Sequence, residues 1–340
     1  MVVAYIGTYT KKDSQGIYRV EIDERGKVVH KAVVATVANP TYLSISNNEK
    51  YLYSVAKYDE KGAVTSFQIE PDGSLVALTS VAQPGVPPCY VEISSDGQYL
   101  VSANYHLGTI DSYQVGAHGE LVQLLSVDQH HGSSLHPRQD KAHAHFAGFS
   151  RDGRFVLTCD LGTDEITTYR LVSGRLERVN NFKFFTGVGV RHLVFSHDER
   201  FVFVMTELSS EVIVLEFNAE TGALVNPRYY MTLPFGFYGE NKGSAIRISQ
   251  DDRFVYVSNR GLNAIVVFSN QLGHLEKIQS ISTFDHDPRD FNLSKDGEWA
   301  IAANENGSIT VYKVDKVTGL LEVTDKQVPL PEAVCVQFMS

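Results

Sequence analysis

The sequence predicts an all-β fold: one seven-bladed β-propeller over residues 1–340, with four antiparallel strands per blade and the last blade closed by the N- and C-terminal strands. Three observations predict it. Apolar residues come in short runs rich in β-branched and aromatic side chains, not in long stripes of helical period. Six segments repeat one pattern of apolar strand, Ser, polar turn and second apolar strand. The two chain ends supply complementary parts of a seventh.

The six repeats are Leu43–Tyr53, Val91–Val101, Ala147–Leu157, Leu193–Phe203, Ile246–Tyr256 and Phe291–Ile301. Their anchor serines, Ser46, Ser94, Ser150, Ser196, Ser249 and Ser294, stand 48, 56, 46, 53 and 45 residues apart. Such a period marks a propeller or a solenoid. Ser340 follows Ser294 by 46 residues, so Cys335–Ser340 supplies a first strand and its Ser and then stops. Val2–Thr8 resembles the second strand of the other units, with Gly16–Asp23 and Val28–Val37 as third and fourth. Splitting one blade in this way removes the open edges of a linear array. Outer hairpins complete the units: Val64–Ile69 runs into Pro71-Asp72-Gly73, and Glu220-Thr221-Gly222 and Lys316-Val317-Thr318-Gly319 play the same part. Gly and Asp supply the positive φ that such turns need.

With 43% hydrophobic residues the chain can build a continuous core, which excludes a disordered class. A net charge of −10 argues against a nucleic-acid partner held by phosphate neutralisation, while leaving room for a local basic pocket. Three cysteines, Cys89, Cys159 and Cys335, form no disulfide framework and suit a reducing compartment. Met1–Thr8 reads as a strand rather than a signal peptide. No apolar run is long enough to span a bilayer. The expectation is a cytoplasmic protein with no membrane partner.

In a propeller blade the strands run A to D outward from the central channel, so the D–A and B–C connections share one face. The A–B turns here are uniformly short, but the D–A connections vary, the longest being Ser126–Lys141 and Leu233–Ser244. Loop variation concentrates on the functional face of a scaffold. Counting from the anchors gives the residues framing the channel there. Five positions before each Ser, where strand A begins, stand Thr41, Cys89, His145, Arg191, Ser244, Arg289 and Cys335. Eleven positions after it, where strand B ends, stand Lys57, Tyr105, Leu161, Glu207, Arg260 and Glu305, preceded in four blades by Asn104, Asp160, Asn259 and Asn304. Solvated charges lining a wet channel are the plain alternative. Arg forks, however, bind carboxylate or phosphate in bidentate fashion, and His or Glu can move a proton. The set suits a small anionic substrate.

His130, His131, His136, His143 and His145 invite a metal reading, and His143 and His145 stand two apart at a strand start. A closed zinc site wants regular Cys/His spacing, and no Cys lies nearby. Substrate contact or loop solvation is therefore expected, with no metal and no other cofactor. Cys89 and Cys335 read as small buried fillers. The chain has no Gly-rich phosphate loop, no Gly-x-Ser-x-Gly elbow and no Trp-Asp repeat signature.

The repeat Ser-x-Asp-Gly-x-(Tyr/Phe), the opening Tyr5-Ile6-Gly7-Thr8-Tyr9-Thr10, Asn39-Pro40-Thr41-Tyr42-Leu43, Lys141-Ala142-His143-Ala144-His145, Gly189-Val190-Arg191-His192-Leu193 and Ser258-Asn259-Arg260-Gly261 together resemble the seven-bladed lactonase family. That family holds bacterial 6-phosphogluconolactonases of propeller type and fungal carboxymuconate cyclases, and the resemblance covers the whole chain. It implies an active-site quartet of His, Arg, Glu and Arg, which falls on His145, Arg191, Glu207 and Arg260. It also implies a lactone-forming or lactone-opening site, and the first expectation is hydrolysis of 6-phospho-D-glucono-1,5-lactone, an anionic sugar lactone of the pentose phosphate pathway. On that reading Glu207 or His145 is the general base, and Arg191 and Arg260 stabilise the oxyanion or bind an anionic group. Lys57 and Arg289 are candidate phosphate contacts, and Asn104, His143 and Asn259 complete the substrate-binding set. A hydrolase or cycloisomerase acting on another anionic lactone would use the same residues. A propeller that only binds a metabolite or a protein is the non-enzymatic reading, and the presence of Glu207 speaks against it. Fold alone does not decide among them.

Overall fold

In a computed structural model that describes residues 1–339, the chain is all-β, with no helix among those residues. It forms seven four-stranded antiparallel sheets, the blades of the predicted seven-bladed propeller. Six follow chain order; the seventh joins Ala333–Phe338 to Val2–Thr8, Gly16–Ile22 and Val28–Thr36. Closure by the chain ends is thus as expected, with Tyr5 paired to Gln337 and Ile6 to Val336. Ser340, the seventh predicted anchor, lies outside the described residues.

Two predicted boundaries move. The strand before the first long connection runs to Gln129, and the strand after the second begins at Lys242. The irregular segments are therefore 130–143 and 232–241. Strand B ends ten residues after its anchor in four blades, at Asn104, Asp160, Thr206 and Asn304, one residue earlier than predicted. At two of these ends the side chain closes the turn itself: Asn104 Oδ1 accepts the N–H groups of His106 and Leu107, and Asp160 Oδ1 those of Gly162 and Thr163. Where a tight hairpin continues the ladder instead, as Tyr58 opposite Lys61, the strand runs on to Tyr58.

The anchor serine acts locally. Ser150 Oγ donates to Asp152 Oδ1 at 2.7 Å and accepts from the Phe155 N–H at 3.0 Å, while Asp152 Oδ1 accepts from the Arg154 N–H at 2.9 Å. One side-chain pair thereby satisfies the A–B turn, which is why the pattern is Ser-x-Asp. Ser46 with Asn48, Ser94 with Asp96, Ser196 with Asp198, Ser249 with Asp251 and Ser294 with Asp296 repeat it.

A second repeated device joins blade to blade. In six of the seven blades the aromatic residue opening strand B lies under a glycine of the next outer hairpin: Tyr51 under Gly119, Tyr99 under Gly174, Phe155 under Gly222, Phe201 under Gly273, Phe254 under Gly319 and Trp299 under Gly26. A Cβ on any of these glycines would overlap the ring, so Gly serves close approach as well as positive φ.

The chain divides into two compact units, one of Met1–Thr36, His192–Leu215 and Asn226–Ser340, the other of Val37–Arg191 and Glu216–Val225. In the first, Trp299, Ile301, Ile309, Val311 and Leu330 pack against Ala4, Ile6, Val336 and Phe338, burying the closing strands. Burying each large apolar side chain there contributes roughly 1.5–3 kcal/mol. In the second, Tyr90 bridges Tyr42 and Phe146, with ring centroids 4.2 and 4.5 Å away.

Candidate active site

His145 is the extra residue of a β-bulge. Ala144 pairs with Asp160 and Phe146 with Cys159, so His145 is squeezed out of the ladder of strand Ala144–Phe149. Arg289 occupies the same place in the sixth blade, between Pro288 opposite Asn304 and Asp290 opposite Ala303. Bulges re-aim a side chain at the start of a strand. Counting from the anchor serine finds these positions, but the bulge depends on pairing and leaves no sequence mark.

The His145 ring is buried and meets the ring of Tyr105 edge-on, with centroids 5.7 Å apart. Tyr105 stacks on His143 at 4.3 Å. His143 Nδ1 lies 2.8 Å from the Tyr105 carbonyl, which can only accept, and Nε2 lies 2.9 Å from Asp140 Oδ1. Both nitrogens therefore face acceptors, and the His143 bond holds the Asp140 carboxyl below the usual carboxylate range. His143 thus positions Tyr105 against His145. Burial, with His143 and Lys141 adding to it, lowers the neighbouring His106.

Arg191, second residue of strand Val190–Phe195, is buried. Glu207 directly follows strand Phe201–Thr206, and Arg260 ends strand Phe254–Arg260. These last two form a buried ion pair, Arg260 Nη2 to Glu207 Oε2 at 2.8 Å, with side chains 8% and 3% exposed. Arg260 Nη2 also donates to the Gly243 carbonyl at 3.2 Å, while its Nε is buried with no hydrogen-bond partner among the described residues. A buried cation with one donor unspent is poised to take an oxygen acceptor.

The remaining predicted contacts divide. Asn104 is consumed by its turn, its amide donating to the Val86 carbonyl at 2.9 Å. Asn259 Oδ1 accepts from Asn241 and Thr232, leaving a buried amide nitrogen with no partner among the described residues. Lys57 is half-buried, its N–H bonded to the Ala38 carbonyl. Arg289 lies over the Tyr9 ring and faces Glu305 at 3.9 Å, both carried at the strand ends of the sixth blade. Sequence reasoning missed Asn241, whose amide ties segment 232–241 to Ser210 and Asn259 and whose carbonyl accepts the Leu262 N–H beyond Arg260. An Asn inside an irregular loop carries no signal of that role. Among the described residues, no group of three or more His, Cys, Asp or Glu is arranged to hold a metal ion, and no helix is long and apolar enough to cross a membrane.

The model of the family described as "Lactonase, 7-bladed beta-propeller" matches residues 3–338. The chain belongs to this family. Relatives named 6-phosphogluconolactonase and gluconolactonase are consistent with a lactone-hydrolysing enzyme, and the family implies a small lactone substrate. A 6-phosphogluconolactonase of Bacillus subtilis is 38% identical over 342 residues, covering 99% of this chain and 98% of its own. Among solved structures, a protein from Lactobacillus plantarum superposes with a TM-score of 0.96 at 37% identity, each chain covered in full. A periplasmic gluconolactonase of Pseudomonas aeruginosa gives 0.94 at 30% identity, covering 100% of this chain and 99% of its own. The lactonase assignment thus rests on the whole chain.

Proposed function

We propose that this lactonase hydrolyses 6-phospho-D-glucono-1,5-lactone, and that His145, Arg191, Glu207 and Arg260 act together on the lactone carbonyl at the mouth of the central channel. The observation that carries the reading is the buried Glu207–Arg260 ion pair, in a chain 38% identical over nearly its full length to a 6-phosphogluconolactonase. The Glu207 carboxylate is engaged by the Arg260 guanidinium at 2.8 Å, so Glu207 holds Arg260 in place and His145 takes the proton. Water attacks C1 as His145 accepts its proton. Arg260 and Arg191 stabilise the oxyanion. The C1–O5 bond then breaks and the proton returns to the ring oxygen, which leaves as the C5 hydroxyl. Lys57 and Arg289 bind the phosphate. The three free cysteines, Cys89, Cys159 and Cys335, fit a reducing cytoplasm, where the pentose phosphate pathway would supply the substrate.

The test is steady-state hydrolysis of 6-phosphogluconolactone, corrected for spontaneous opening. His145→Asn is expected to lower kcat by about 10²–10⁴-fold with little change in KM. Near wild-type rates in both His145→Asn and Glu207→Gln would remove the site from consideration.

A further inference from the structure

His145 and Arg191 arrive on two separate segments, 130–143 and 184–189, each leading into a strand A. Between them lies the B–C turn of the third blade, Asp160-Leu161-Gly162-Thr163-Asp164. Asp164 is fully buried and holds a left-handed φ of 58°, which Asp tolerates. Its two carboxylate oxygens accept four hydrogen bonds. Oδ1 takes one from Gln139 Nε2 and one from the Gly189 N–H, both at 2.7 Å. Oδ2 takes one from Ser134 Oγ at 2.7 Å and one from the Gly187 N–H at 2.8 Å. Each oxygen thus holds one donor from each segment. The backbone adds to this, since the Asp164 carbonyl accepts the Phe184 N–H at 2.9 Å. Gln139, itself fully buried, also donates to the Leu161 carbonyl.

From this geometry we infer that Asp164 is a positioning residue that couples the two segments, so that His145 and Arg191 are placed together. The inference rests on the site proposed above. Asp160, four residues earlier, supplies the internal contrast because it serves one segment only. Its Oδ1 accepts the His143 N–H at 2.8 Å, and its Oδ2 faces His130 Nδ1 at 2.9 Å. The two carboxylates therefore answer differently to the same isosteric change. In Asp160→Asn the new amide can donate to His130 Nδ1, and a neutral ring keeps its Nε2–H for the Tyr169 oxygen, 2.7 Å away. In Asp164→Asn, whichever way the amide is turned, an NH₂ faces one donor from each segment. The backbone N–H of Gly187 or Gly189 cannot reverse its role as a hydroxyl can.

The test is amide hydrogen exchange across 130–143 and 184–189, with kinetics on 6-phosphogluconolactone. Asp164→Asn is expected to speed exchange at least tenfold in both segments, leave peptides of strands Val2–Thr8 and Phe254–Arg260 unchanged, and lower kcat/KM by about 10²-fold, the usual cost of a misplaced group. Asp160→Asn, whose contacts survive the change, is expected to leave exchange near the wild-type rate in both segments. Should Asp164→Asn fail to fold, Ser134→Ala combined with Gln139→Met cuts the first segment from Asp164 and is expected to loosen the second as well. Exchange quickened in one segment only overturns the inference, and so do wild-type kinetics with both loosened when His145→Asn or Arg191→Ala is impaired. Parallel His145→Asn and Arg191→Ala variants separate the two readings: if they stay fully active while both segments loosen in Asp164→Asn, the coupling stands and the site reading falls.

Discussion

The two ends of each strand A are built on opposite principles. At the anchor end, six turns repeat one solution, in which Ser, an Asp or Asn two residues on, and the backbone satisfy one another within six residues of chain. At the opposite end, the blades differ in the side chains they present. His145 and Arg289 are bulged, Arg191 is buried, and the neighbouring strand B ends at Glu207 and Arg260 in an ion pair removed from water. The first end is locally complete, so it contributes stability and little else. The second holds a buried ion pair beside which Arg260 Nε and the Asn259 amide nitrogen have no partner among the described residues, the condition for binding something polar. The difference teaches where to look for chemistry in a repeat protein: where the repeat stops repeating.

The largest effect should come from breaking the ion pair one partner at a time. Glu207→Leu takes the carboxylate from beside the buried Arg260 guanidinium, and Arg260→Met takes the guanidinium from beside the buried carboxylate. Each is expected to cost about 3–5 kcal/mol. The double variant Glu207→Leu/Arg260→Met should recover much of that loss while remaining inactive. Thermal or chemical denaturation of the four proteins checks this. A double variant as unstable as the sum of the singles would mean that the two charges act independently rather than as a pair, and would erase the contrast between the two ends.

How much of this could be read beforehand follows from the range of each interaction. The anchor turns were legible because Ser, Asp and the strand-B N–H all lie within six residues, so the chemistry is written contiguously. The candidate positions His145, Arg191, Glu207 and Arg260 could be counted because strand lengths between the anchors are nearly constant. The bulge at His145 could not, since it exists only in the pairing with Asp160 and Cys159. Asp164 was equally hidden: its four partners lie at positions 134, 139, 187 and 189, and nothing in Leu-Gly-Thr-Asp names them. The ion pair changed the reading of its members as well, because Glu207 as a free base and Glu207 as the partner of Arg260 are different acids.

A smaller effect, of opposite sign, is expected at Asp111, near the start of strand Thr109–Val115 and so at the same end of its blade as the varied loops. Burial pushes its carboxyl up to about 6, against the opposing hydrogen bonds of Tyr113, Gln83 and Thr109, and Oδ1 has no partner among the described residues. A folded-state value above the ordinary 3.8 means that the fold binds the proton more tightly than the unfolded chain. Stability from the neutral acid is full below the ordinary value and is lost as pH rises through about 6. Asp111→Asn is therefore expected to stabilise the protein at pH 8 by about 2–3 kcal/mol and to make no difference near pH 4. Denaturation midpoints of both proteins across that range decide it. A variant less stable than wild type at pH 8 would show that the ionised carboxylate is satisfied after all.

The smallest effect belongs to the anchor end, and its sign is reversed. Ser294 Oγ donates to Asp296 Oδ1 at 2.5 Å and accepts from the Trp299 N–H at 2.9 Å, and the residue is buried. Ser294→Ala removes both bonds and leaves the Trp299 N–H without that acceptor. The expected loss is about 1–2 kcal/mol, read as a shift of the denaturation midpoint at unchanged slope. Because the turn is complete within itself, the loss should stay there: kcat and KM for lactone hydrolysis should match wild type. The same substitution at Ser46, where Asn48 replaces the carboxylate, should cost less, since a hydrogen bond to an uncharged acceptor is weaker than one to a charged group. If Ser294→Ala instead lowered kcat at full stability, the anchor turns would be coupled to the catalytic end, and the division between a structural end and a chemical end would not hold for this fold.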